Sequence, residues 1–277
     1  MVVKIIDKID SYLDILDCFD LRKGDMVYVS SELLRLMWLA KNNQERFDAN
    51  ALIDRLQEIV GIEGTILIPT YTFVFSNEGY YDYKNSKSVV GMLGNVALQR
   101  SDFKRTKHPM HSFAVWGKYQ SVLYQMKNSN SFGDDSPFAF MLENHAKEIG
   151  IGLTYMKACT FIHYIETKAK VPYRFNKVFQ GTYVSEEGNS EKRKYDYAAR
   201  DYSISYTTKY DGLVDVLEKN DASYRLKVNG IDAYCVDMVK SYPAIWQDVT
   251  EGKCQTLFDF SIDRNFLYSD DFIICKE

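Results

Sequence analysis

The segment CTFIHYIE, residues 159–166, sets one imidazole three positions ahead of one carboxylate. On a helix that spacing brings both side chains to one face, where Glu166 can hold one ring nitrogen of His163 and leave the other free to take a proton. The same run carries the apolar period of a buried helix, so a core histidine satisfied by a neighbouring glutamate fits it equally well. Spacing alone leaves both readings open. Cys159, one helical turn from His163, invites a nucleophile reading, but free cysteine is commonly a small buried hydrophobe.

A second concentration of chemistry is RSDFKRTKHPMHSFAVWG, residues 100–117. Arg100, Lys104, Arg105 and Lys107 precede a His-Pro turn, and such cations suit phosphates, although a charge run is also the mark of a solvated face. His108 and His111 straddle Pro109 in a turn, a spacing that does not converge on a metal as it would on a helix, so no metal site is expected. Ser30 and Ser31 in VSSE, and Thr70, Tyr71 and Thr72 in IPTYTF, occupy strand-to-helix loops. Ligands bind α/β sheets there, and serines and threonines also cap helices there. GxGxxG, GxxxxGK[ST], HExxH and GxSxG are absent, which removes the most specific signatures of dinucleotide, nucleotide, zinc-protease and serine-hydrolase chemistry.

The elements that must position these groups alternate. MVYVSS (26–31), GTILIPT (64–70), SFAVWG (112–117) and EIGIGLTY (148–155) read as strands, being rich in β-branched and aromatic residues. Residues 3–19 read as an amphipathic helix followed by a turn at RKGD, and helices are expected over 32–40, 48–61, 88–100 and 136–148, the last with a Ser-Pro start. From about 178 aromatic and polar residues alternate around Gly188-Asn189, as in an antiparallel hairpin, so a hairpin-bearing subdomain over 178–230 is expected inside one domain of 1–277. The ends AIWQDVTEG and FLYSDDFIICKE read as mixed structure. The tyrosine-rich stretch 182–210 suits either strand packing or an interface, so monomer and homodimer both stand.

Composition excludes several classes. The chain has 277 residues, 46% hydrophobic and 14% aromatic, enough for a large core with no low-complexity linker. Its 34 basic and 38 acidic side chains are interspersed, which argues against nucleic-acid and membrane-surface partners. The aspartates of the first twenty residues argue against a signal peptide, no run of ~18 apolar residues appears, and a cytoplasmic location is expected. Five widely spaced cysteines, Cys18, Cys159, Cys235, Cys254 and Cys275, lack CxxC pairing and read as reduced packing residues.

Taken in order, GTILIPTYTF, RTKHPMHSFAVWG, FGDDSPFAFMLE and CTFIHYIETKAKVPYR resemble the blocks of the aminoglycoside 3-N-acetyltransferase family over about residues 20–180. The resemblance implies an α/β fold with a mixed sheet sandwiched by helices, unlike that of GNAT acetyltransferases. It implies transfer of an acetyl group from acetyl-CoA, without a metal, to an amine of an aminocyclitol or amino sugar. It casts His163 as general base held by Glu166, with Ser30, Ser31, His108, Ser112 and Phe113 at the CoA site. Arg100, Lys104, Arg105 and Lys107 are the cations available for its phosphates.

A neutral imidazole suits the chemistry, since an ammonium cannot attack a thioester until it loses a proton. The developing oxyanion needs donors, for which backbone N–H groups or the Ser31 and Ser112 hydroxyls are candidates. Tyr71, Glu78, Asp134, Asp135, Tyr155 and Lys157 are the expected acceptor contacts. Lys157 would repel a polycation, which points to an acceptor with negative charge, such as a nucleotide-linked amino sugar from surface-polysaccharide synthesis; an aminoglycoside drug is the alternative. Two other classes compete: a hydrolase with Ser31 or Ser112 and His163, for which no nucleophile elbow exists, and a non-catalytic sugar-binding protein on the same fold.

Overall fold

The computed structural model describes residues 3–272, apart from the side chains of Met156, Tyr210 and Asp211; Cys275 and the end of the last expected segment lie outside the described residues. Strands follow in chain order as β1 Lys4–Ile6, β2 Met26–Ser31, β3 Thr65–Pro69, β4 Tyr80–Asp82, β5 Lys104–Arg105, β6 Phe113–Gly117 and β7 Lys147–Ile151. They continue as β8 Arg174–Val184, β9 Ser190–Arg200, β10 Tyr206–Thr208, β11 Ser223–Val228, β12 Ile231–Asp237 and β13 Phe258–Phe260.

The large sheet runs in the order β1-β11-β12-β7-β2-β3-β6-β5. Its centre, β7, β2 and β3, is parallel, and the flanking β12 and β6 run antiparallel to it. Side chains alternate between two cores: Met26, Tyr28, Leu67, Phe113, Val115 and Tyr234 on one face, Val27, Val29, Ile66, Ile68, Ala114 and Ile149 on the other. A sheet covered on both faces explains why β2 and β3 read as continuous apolar runs. Helices Pro137–Glu143, Phe161–Ala169, Tyr210–Lys219 and Met238–Val249 pack on the first face. Helices Leu34–Asn42, Ala49–Val60 and Met92–Ala97 pack on the second, so the α/β layering is the one expected.

Several local expectations shift. The helix expected over 3–19 is instead β1, paired in parallel with β11, followed by a 3₁₀ helix Tyr12–Cys18 opened by a Ser11–Asp14 capping box. Edge pairing with β11 satisfies backbone groups that a short terminal helix would leave open, while Ile15 and Leu16 still reach the core. The helices expected over 88–100 and 136–148 contract to Met92–Ala97 and Pro137–Glu143; the Ser136 hydroxyl caps the second, and the chain from Lys147 joins β7.

The antiparallel excursion begins earlier than the alternation suggests. β8 and β9 pair from Arg174↔Arg200 to Val184↔Ser190, and β4 joins them in a three-stranded sheet. A cluster of Phe75, Tyr81, Tyr83, Met110, Tyr183 and Tyr195 fastens it to the preceding loops. Within 182–210, Tyr183 and Tyr195 are therefore interior, whereas Tyr202 is 86% exposed. The chain then returns through β11 to the large sheet. Among the described residues no helix is long and apolar enough to cross a membrane.

Candidate active site

Parallel β7, β2 and β3 present their carboxyl ends along one edge, and antiparallel β6 begins there, with Phe113 opposite Pro69. The loops 70–73, 108–112 and 152–160 thus meet where α/β sheets bind ligands. The last of them leads into helix Phe161–Ala169, which buries Phe161, Ile162, Tyr164 and Ile165 and leaves His163 with 29% of its side chain exposed.

His163 Nδ1 lies 2.7 Å from Glu166 Oε2. Glu166 is fully buried and also accepts from Tyr173 Oη at 2.8 Å, while the Arg174 guanidinium approaches the same Oε2 through Nε at 2.6 Å. Arg174 Nη2 stands 3.0 Å from His163 Nδ1, and its Nη1 donates to the Ala198 carbonyl at 3.1 Å. Burial works against the Glu166 charge, but Arg174, His163 and Tyr173 outweigh it and hold its pKa below the ordinary carboxylate value. Burial and the Arg174 charge pull the His163 pKa down, against the pull of Glu166, so the ring is neutral at physiological pH. Tyr173 Oη continues to Cys254 Sγ at 3.0 Å, and from there Tyr268 Oη lies 3.1 Å away.

The His163 ring meets Phe132 edge-on at 5.6 Å between centroids, and Phe132 in turn lies 4.9 Å from the His111 ring. Tyr71, Phe73 and Tyr197 complete the aromatic box around His111, whose Nδ1 is 2.8 Å from Ser131 Oγ. Burial, with His108 and His163 adding to it, drives the His111 pKa well down. The site therefore joins a half-exposed neutral imidazole, an ionised carboxylate behind it and a dry aromatic wall. That arrangement can accept a proton at His163 Nε2 and stabilise the imidazolium.

The sequence profile of "Aminoglycoside 3-N-acetyltransferase" matches residues 29–245. The chain belongs to the aminoglycoside 3-N-acetyltransferase family. The prophage-derived aminoglycoside N(3')-acetyltransferase-like protein YokD of Bacillus subtilis is 24% identical over 182 residues, an alignment covering 57% of this chain and 64% of that relative. The fold is shared with the aminoglycoside acetyltransferase AAC(3)-Xa, at a TM-score of 0.71 and 17% identity over 87% of this chain and 91% of that one. The CoASH-bound structure of AAC-IIIb gives a TM-score of 0.68 and 17% identity over 86% and 94% of the two chains.

Within this family fold the remaining expected residues divide into three groups. Tyr71 is brought to the site; its hydroxyl lies 3.1 Å from that of Tyr28. Ser31 is half-buried at the end of β2 and Ser30 is buried beside it. Lys104 and Lys107 reach solvent over the Tyr124 ring, at 6.0 and 4.6 Å.

A second group is engaged inside the fold. Arg105, 4% exposed, donates to Ser112 Oγ and to the carbonyls of Thr70, Tyr83 and Ser86. Ser112 Oγ in turn donates to the Thr70 carbonyl at 3.0 Å, leaving it no free proton for an oxyanion, and Phe113 is buried against Tyr28, Tyr71 and Phe138. His108 accepts the N–H groups of Met110 and His111 on Nδ1, with the Ser129 carbonyl 3.2 Å from Nε2, and burial lowers its pKa to about 4. Arg100 pairs with Asp54 at 2.8 Å and Asp102 at 3.0 Å, on the helix Ala49–Val60 side of the sheet. The Cys159 thiol is buried and borders the first core, as the packing reading has it.

The expected acceptor contacts are dispersed. Asp134 pairs with Lys168 at 2.6 Å, Asp135 and Glu78 are exposed, and Lys157 is exposed in the turn Tyr155–Lys157. Tyr155 packs edge-on against Tyr234 and lines a small cavity with Val3, Val214 and Leu226.

Sequence reasoning placed His111 in the HPMHSF block of the CoA site and missed Arg174, Tyr173 and Phe132 as parts of the candidate site. VPYR and the paired histidines were visible as motif residues, but only the hairpin start at Arg174 turns the guanidinium back onto Glu166. Two grooves were not foreseeable. One, of about 410 Å³, is bounded by Phe175, Phe179, Tyr197, Lys177, Arg200 and Asp201. The other, of about 370 Å³, is ringed by Lys107, Lys127, Arg193 and Lys194.

Proposed function

We propose that the protein transfers an acetyl group from acetyl-CoA to an amine of an aminoglycoside-type amino sugar, with His163 as the general base and Glu166 as its orienting partner. The observation that carries the reading is the 2.7 Å contact from His163 Nδ1 to an ionised, buried Glu166 on a half-exposed ring. The acceptor ammonium first gives one proton to solvent, and with the ring in that form Nε2 takes a second from the nitrogen as the C–N bond forms at the thioester carbonyl. The proton then passes to the CoA sulfur as the C–S bond breaks, so no acyl-enzyme is needed and Cys159 has no part. The basic groove fits the phosphates of acetyl-CoA: among the described residues no carboxylate lies within 4.0 Å of Lys107, Lys127 or Lys194, a clustering of like charges that a polyanion relieves. Ser31, half-buried at the carboxyl end of β2, remains the side-chain candidate for the oxyanion.

The first groove favours a second reading of the acceptor. Lys177 and Arg200 outnumber the carboxylate of Asp201, and the rings of Phe175, Phe179, Tyr197 and Tyr202 line the same space. This balance suits an amino sugar carrying an anionic group, such as a nucleotide-linked one, better than a polycation. The test is thiol release from acetyl-CoA against both kinds of acceptor, with His163→Ala as control. Loss of turnover by ~100-fold or more in that variant, at unchanged CoA affinity, is expected; wild-type turnover removes the base assignment.

A further inference from the structure

A buried carboxylate beside an imidazole carries an electrostatic penalty that catalysis must overcome. Its negative charge stabilises the imidazolium, so the partner that aligns the base also tends to fill it with a proton before substrate arrives. In this chain the carboxylate does not act alone. Arg174 reaches Glu166 Oε2 through Nε at 2.6 Å and His163 Nδ1 through Nη2 at 3.0 Å, and both carboxylate and guanidinium are withdrawn from solvent, with 0% and 9% of their side chains exposed.

The contacts on Nδ1 cannot both be ordinary hydrogen bonds in one state of the ring. With the proton on Nδ1, the imidazole donates to Glu166 and leaves Nε2 as the lone pair; with Nδ1 bare, Arg174 donates to it and the proton sits on Nε2. Glu166 is the nearer and anionic partner, at 2.7 Å, so the first form holds at rest. Once Nε2 also takes a proton, Nη2 faces an imidazolium, and like charges repel.

We infer that Arg174 is a positioning residue which cancels the Glu166 charge while aligning it, keeping His163 unprotonated between turnovers and helping expel the proton to the leaving sulfur. This inference rests on His163 being the base. The other groups that face the ring do not supply the effect. His111, from the loop before β6, is neutral through burial; Phe132 is apolar; Tyr173 acts only through Glu166 Oε1; and Lys168, one turn further along the helix, is engaged with Asp134. Burial and the Arg174 charge together lower the His163 pKa, the direction this geometry requires.

The test compares wild type with Arg174→Met and Arg174→Lys in two measurements: the pH profile of kcat/KM, and ¹⁵N NMR of the histidine ring nitrogens as a function of pH. Arg174→Met should move the acidic limb, and the His163 titration with it, upward by about one to two pH units. Arg174→Lys, which keeps the charge and loses the fork, should restore more than half of that shift. A folded Arg174→Met whose His163 titration stays in place overturns the inference and leaves the base assignment intact. Unchanged turnover in His163→Ala removes the base assignment instead, and the NMR comparison still reports what Arg174 does to the ring. If Arg174→Met does not fold, the wild-type spectrum decides: an Nδ1–H ring titrating below the ordinary ~6.5 supports the inference, and one titrating above it refutes it.

Discussion

Glu148 is the buried carboxyl whose protonation most strongly couples the stability of this sheet to pH. It lies in β7 with its side chain on the first core face, 0% exposed, accepting from Tyr234 Oη at 2.8 Å on Oε1, while Oε2 has no hydrogen-bond partner. Burial, opposed only by Tyr234, raises its pKa to about 8, so the folded protein holds a neutral carboxylic acid at pH 7. The unfolded chain ionises that group near 4.3. Between those values the folded state binds the extra proton, and stability falls as pH rises. The full difference, at ~1.4 kcal/mol per unit, comes to roughly 5 kcal/mol as an upper bound, reached only above pH 8. Glu148→Gln keeps the shape and a hydrogen-bonding end without the titration. In urea denaturation followed by circular dichroism, variant and wild type should match within about 1 kcal/mol at pH 5, and the variant should gain steadily up to pH 8.5. A gap independent of pH would refute the claim that Glu148 is protonated in the folded protein.

Other outcomes follow from the same contacts. A Cβ at Gly150 would sit 1.9 Å from Tyr234 Cε1, so Gly150→Ala should cost about 1–3 kcal/mol in a thermal or urea melt by pushing the ring off Glu148. Arg105→Met strands the carbonyls of Thr70, Tyr83 and Ser86 and should destabilise the fold by about 3 kcal/mol or more; in any folded fraction the KM for acetyl-CoA should be unchanged, whereas a phosphate ligand would raise it. The double change Lys107→Glu and Lys127→Glu should raise the KM for acetyl-CoA tenfold or more with kcat within about twofold, and the wild-type KM should rise with salt; indifference of both would remove the basic groove from CoA binding.

The readable parts of this protein were those where a local pattern has one physical solution. Runs buried on both sides had to be strands, and Asp48 and Gly61 bracket helix Ala49–Val60 because cap chemistry depends on nearby residues. The i,i+3 pair His163–Glu166 likewise needed nothing beyond helical geometry, and the ordered blocks from GTILIPTYTF to VPYR were enough to place the chain in its family. The basic run 100–107 was the opposite case. Whether a cation meets solvent or the interior depends on strand neighbours far along the chain: β5 turns Arg105 inward onto Thr70 and Ser112, while Lys107 stays outside to join Lys127 and Arg193. The same dependence hid the partner of the base. Sequence determined that His163 and Glu166 would meet; only the hairpin pairing of Arg174 with Arg200 decided that a guanidinium would close on both, because charge acts through space and the chain brings that charge back through long-range strand pairing.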